Sequence, residues 1–154
     1  MTKETSVGLF DNLLNNSFLK DHTLTAAEAF AAITLAATAS DGYLSDSEVQ
    51  TLSLSLSRMK LFQDYSDEAT AKMLDRFLSI IRNENGNDLF TRAKQYLPHD
   101  LRETAFAVAT DLILADGLVT DEEKIFLEQL HRSLEIPDNT ALDIVRVILI
   151  KNKG

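Results

Sequence analysis

An all-α fold is predicted: a single-domain helical bundle of about seven to eight helices, built on two pseudo-two-fold-related helix–turn–helix repeats. Three observations predict it. Two prolines and five glycines in 154 residues leave few breakers, and long apolar periods of three and four residues run between them. Two alanine-rich apolar stretches, "AAEAFAAITLAATAS" and "TAFAVATDLILA", are apolar nearly all round, as central helices must be. Each is followed by the same short word, "DGYLSDSE" at 41–48 and "DGLVTDEE" at 116–123, offset by 75 positions.

In chain order, the periodicity predicts helices over 8–18, 25–40, 46–59, 67–83, 88–96, 98–115, 121–134 and 139–151. "MTKETS" precedes the first as a frayed start. Thr25-x-x-Glu28 is a capping box opening the second. The third contains "TLSLSLS", whose two-residue alternation reads as a strand. Against that, Val49, Leu52, Leu56 and Met59 keep helical spacing behind an upstream cap, so the segment is assigned as helix with Leu54 out of place. Ser66 and Asp138 are expected N-caps. Gly86 separates two helices, and Pro98 suits a first helical turn.

The repeat organises the chain, spanning 25–62 and 98–137 within one domain of 1–154. Asp41/Asp116, Gly42/Gly117, Asp46/Asp121 and Glu48/Glu123 match identically, and Leu52/Leu127 and Met59/Leu134 continue the frame. Helix ends explain much of the word. Gly42 and Gly117 can adopt the left-handed conformation that stops a helix, with Tyr43 and Leu118 in the apolar contact that follows. Leu44 and Val119 are staple residues, and Ser45-x-x-Glu48 and Thr120-x-x-Glu123 are capping boxes.

Asp41 and Asp116 resist this account. A carboxylate at a helix C-terminus faces the negative pole of the helix dipole, at a cost of roughly 0.3–1 kcal/mol. Asparagine or lysine would suit the position better. An unfavourable residue placed twice points to a cation that offsets it. Asp41, Glu48, Asp116 and Glu123 are therefore the candidate metal ligands, with hard oxygens suited to calcium, magnesium or manganese. Their spacing matches the later half of an EF-hand loop. The earlier half is absent, since Ala37, Ala39, Leu112 and Leu114 occupy its ligand positions. One loop alone offers too few ligands, so a site needs both loops to converge, or water to complete the shell. Asp111 is a weaker candidate, with a surface or capping role favoured.

Composition narrows the function. The net charge of −9 disfavours nucleic acid and free oxyanions and favours cations or a basic protein surface. The absence of cysteine removes disulfides, thiolate metal sites and thiol chemistry, and fits a reducing compartment. No secretory signal or membrane-spanning stretch is expected, so the predicted location is cytoplasmic. His22, His99 and His131 have no ligand-spaced partners and are assigned to solvent, capping or packing. The eight phenylalanines read as core. No nucleophile elbow, phosphate loop or zinc-protease motif occurs, and no enzyme activity is expected.

With its alanine-rich helix, "ASDGYLSDSE", "LADGLVTDEE", "LP" with "LRETAFAVA", and the closing "LEIPDNTALDIVRVILIKNKG", the chain resembles the TerB family of tellurite-resistance proteins. The wider TerB-like domain also occurs in a membrane-anchored DnaJ-type co-chaperone. The resemblance covers most of 25–150. It implies an all-helical bundle, a bacterial stress-response setting, membrane-associated stress proteins among the partners, and a metal site on the acids at Asp41, Glu48, Asp116 and Glu123. Ser47 stands where such loops run several acids together, so the second loop, with Asp121-Glu122-Glu123, is the stronger. The leading expectation is a non-catalytic, divalent-cation-binding module. The alternative is a metal-independent acidic protein-interaction scaffold. A hydrolase using a bound divalent ion ranks last, for want of a nucleophile or base.

Overall fold

Three capping boxes start three of the helices, and each forms from residues three apart in sequence. In the computed structural model, which describes residues 23–39, 44–83, 86–115 and 117–153, Thr25, Ser45 and Thr120 each accept the backbone N–H three residues on through the side-chain hydroxyl. The carboxylate at that third position, Glu28, Glu48 or Glu123, accepts the N–H of the cap residue in return. Two of the N–H groups left over at each helix start are thereby satisfied.

The described residues form seven α-helices and no strand: α1 (Ala26–Thr38), α2 (Asp46–Ser57), α3 (Asp67–Asn83), α4 (Gly86–Tyr96), α5 (Arg102–Ile113), α6 (Asp121–Ser133) and α7 (Asp138–Lys151). Short 3-10 turns at Lys60–Phe62 and His99–Leu101 lead into α3 and α5. The helix expected over 8–18 lies outside the described residues.

"TLSLSLS" is helical. Leu52 and Leu56 are buried, Val49 and Met59 pack against the core, and Leu54 is 57% exposed, the misfit that helical spacing predicts. Ser66 caps α3, its Oγ accepting the Ala69 N–H at 3.0 Å. Asp138 does not cap α7. Pro137 holds that place with φ −59 and ψ 147, and its carbonyl accepts the Ala141 N–H at 3.0 Å. Proline's fixed φ lets it end the preceding turn while its oxygen begins the helix. Pro98 likewise precedes the 3-10 turn, so α5 starts four residues later than expected. Gly86 is the first residue of α4.

Alanine spacing decides which helix is central. Along α1, Ala27, Ala29, Phe30, Ala31, Ala32, Ile33, Leu35 and Ala37 are all buried. Small side chains let neighbours approach closely, and α1 packs against α2, α3, α4 and α5. Its buried Thr34 hydroxyl donates to the Phe30 carbonyl at 2.9 Å, so the polar atom is satisfied. Phe30 meets Phe62 edge-on at 6.4 Å, and Phe62 stacks obliquely on Tyr65 at 5.8 Å. Full burial of such a side chain contributes about 1.5–3 kcal/mol.

The second alanine-rich helix, α5, was expected to be central too, and it is so on one face only. Ala105, Phe106, Ala109 and Thr110 are buried, whereas Ala107, Val108, Asp111, Leu112 and Ile113 are partly exposed. Polar residues at Glu103 and Asp111 hold that face toward water. α5 packs on α1 and carries α6 and α7 on its other flank.

Candidate functional site

The capping boxes of α2 and α6 open on one cavity. It measures about 270 Å³ and is lined by Thr38, Glu48, Leu112, Ile113, Thr120, Glu122, Glu123 and Phe126. Thr38 is the last residue of α1, and Leu112 and Ile113 end α5, so two helix C-termini and two N-termini border the same space. The carboxylates of Glu48 and Glu123, 75 positions apart in sequence, therefore share a cavity.

Capping already uses one oxygen of each carboxylate. Glu123 Oε1 accepts the Thr120 N–H at 2.9 Å. Glu48 Oε1 accepts the Ser45 N–H at 3.2 Å and the Ser45 hydroxyl at 2.9 Å. These bonds orient the side chains and leave Oε2 of each without a hydrogen bond among the described residues. Asp46 and Glu48 in the first turn of α2, and Asp121, Glu122 and Glu123 in that of α6, are favoured by the positive poles of their helices. The negative charge gathered here thus has a structural support that does not require an ion.

Asp41, Asp116, Gly42 and Tyr43 lie outside the described residues. Gly117 has φ +79, the left-handed geometry expected of it, and its N–H donates to the Leu114 carbonyl at 3.0 Å. Leu118, in the position that follows it, is 71% exposed. Leu44 is buried and Val119 packs against the core, as staple residues should. Asp111 belongs elsewhere: its Oδ1 pairs with Lys151 Nζ at 3.2 Å, tying α5 to the end of α7. Asn152 strengthens this tie by donating to the Leu114 carbonyl at 3.1 Å.

Among the described residues, no three histidine, aspartate or glutamate side chains stand close enough together to hold a metal ion. Glu122, Thr38 and Phe126 join the cavity through the approach of α1 to α5, which no local motif encodes. Of the histidines, expected in solvent, capping or packing roles, His99 is exposed and His131 is buried against Phe106, ring centres 6.3 Å apart. His22 lies outside the described residues. No described helix is long and apolar enough to cross a membrane.

No family model matches the chain, and neither a curated protein nor a solved structure is found to be similar to it.

Proposed function

We propose that the chain is a non-catalytic helical module that binds a divalent cation between two related helix–turn–helix units, α1–α2 and α5–α6, in the manner its resemblance to TerB-like proteins implies. The observation that supports this reading is the shared cavity of Glu48 and Glu123. Each glutamate is oriented by its own cap and keeps one oxygen for an ion. Asp41 and Asp116, from the loops that lead into those caps, would complete the hard-oxygen set. The cation would clamp the two units or bridge to a protein partner in a bacterial stress response.

Calorimetric titration with calcium, magnesium and manganese tests this, with melting temperature followed in parallel. A saturable heat and a rise in melting temperature are expected, both lost in Asp116→Asn combined with Glu123→Gln. No heat and no stabilisation at millimolar ion would overturn the reading.

A second reading is favoured by the surroundings of the cavity. Asp46, Glu48, Asp121 and Glu122 are exposed, and the apolar side chains of Leu118 and Ile125 are 71% and 60% exposed beside them. Acids mixed with exposed apolar groups suit a basic, partly apolar protein surface without any metal. Partner binding indifferent to chelator would support this scaffold.

A further inference from the structure

A second cavity, of about 420 Å³, lies between α6 and α7. Both helices pack on α5 but make little backbone approach to each other, so a cleft opens between them with Phe106 of α5 at its floor. Leu127, Ala141, Leu142, Val145 and Leu149 give it apolar walls. Its volume is within the roughly 300–1,000 Å³ of small-molecule sites. Leu142 remains 65% exposed on the wall, apolar area that an occupant would cover.

One end of the cleft is polar. His131, only 7% exposed, lines it, and the first residue of α7, Asp138, stands beside it. His131 Nδ1 is 3.1 Å from the Ile136 carbonyl oxygen. A carbonyl only accepts, so Nδ1 is the donor, and a ring carrying one proton presents its lone pair at Nε2. Asp138 Oδ1 lies 3.7 Å from Nε2, too far for a hydrogen bond. Two acceptors thus lie side by side at the end of an apolar cleft.

A group with several protons to donate satisfies both, and a primary ammonium carries three. The chain's net charge of −9 favours a cation, and a carboxylate head would meet Asp138 and Glu128. Lys124, also on the wall, is seven residues from His131, roughly 10 Å along the helix. It pairs with Asp121 at 3.7 Å.

We propose that the α6–α7 cleft binds a small amphiphile with an alkyl body and a primary amine, its ammonium bridging His131 Nε2 and Asp138. This site is separate from the acidic cavity and does not depend on metal binding.

The test titrates the full chain at neutral pH with octylamine, octanol and octanoate, which share one tail and differ in the head. Calorimetry and backbone amide NMR shifts read the result. Octylamine is expected to saturate, with shifts confined to α6 and α7, and to bind at least about tenfold more tightly than octanol. Octanoate should bind more weakly than either. Asp138→Asn, at a site 87% exposed in its side chain and therefore safe for folding, should remove most of the advantage of octylamine over octanol. His131→Gln should do the same. Equal affinity for the amine and the alcohol overturns the proposal, as does an Asp138→Asn protein that binds octylamine unchanged. A self-associated dimer that hides Leu142 from solvent, seen by sedimentation, also overturns it.

Discussion

Glu123 has two roles that one substitution pair can separate. As a cap it accepts the Thr120 N–H through Oε1, and as a charge it faces the shared cavity with Glu48 and Glu122. Glu123→Gln keeps an amide oxygen for the cap but removes the charge, because glutamine serves equally in a capping box. Glu123→Ala removes both. In chelator, losing the charge forfeits about 0.3–1 kcal/mol of attraction to the positive end of α6. A cavity of 270 Å³ is roughly 8 Å across if taken as a sphere, and two like charges that far apart in a watery medium repel by about 0.5 kcal/mol. The two effects nearly cancel, so Glu123→Gln should lie within about 0.5 kcal/mol of the parent without an ion. Glu123→Ala should lose about 1 kcal/mol more, the ordinary worth of a hydrogen bond. In a domain of this size that difference is roughly 2–4 °C in melting temperature. With a divalent ion at about a hundred times its Kd, the parent should gain about 2.7 kcal/mol. Glu123→Gln should gain markedly less. Thermal and urea denaturation with chelator and with ion give all the values. Equal ion-induced gains in parent and Glu123→Gln would show that Glu123 is a cap only.

Two further predictions concern stability alone. Thr110 Oγ1 is buried in α5 with no hydrogen-bond partner among the described residues. Thr110→Val exchanges that hydroxyl for a methyl of similar shape and should raise stability by about 1 kcal/mol or more, read from the urea midpoint; a fall would refute the reasoning. Glu135 hydrogen-bonds Arg102, and that bond, followed by the guanidinium charge, holds its carboxyl below the usual glutamate value. A lowered folded-state pKa gives stability that is present above the unfolded value, about 4.3, and lost as pH falls through the folded one. The gap in urea midpoint between the parent and Glu135→Gln should therefore be full near neutrality and close as pH drops below about 4. A gap that persists unchanged into strong acid would refute the pairing.

What the sequence made legible was whatever is decided within a few residues. The boxes at Thr25, Ser45 and Thr120 and the cap at Ser66 each depend on positions three apart, and all four form. The burial of α1 followed from its unbroken apolar face. The helical state of "TLSLSLS" followed from the spacing of Leu52 and Leu56 against a single misfit. Position 138 was misread because aspartate is a good cap in isolation, while Pro137 beside it satisfied the same requirement through its backbone. The meeting of Glu48 and Glu123 was posed as a condition but not predicted, since it depends on how α1 crosses α5. The cleft at His131 and Asp138 was not foreseen at all. Leu127, Ala141 and Val145 have ordinary core spacing, and only the splay of α6 from α7 leaves a gap between them.

The left-handed residue that ends α6 is a glutamate, not a glycine. Glu135 has φ 59, while the Ile136 N–H returns to the His131 carbonyl at 2.9 Å and the Glu135 N–H to Arg132 at 3.0 Å. This paired return of the chain sets the corner between the last two helices, and Arg102 reaches across from α5 to the Leu134 carbonyl and the Glu135 side chain. A glycine there would turn at least as easily but would leave Arg102 only the Leu134 carbonyl. The corner thus trades backbone ease for a brace, and a residue more than thirty positions upstream holds the turn from which α7 departs.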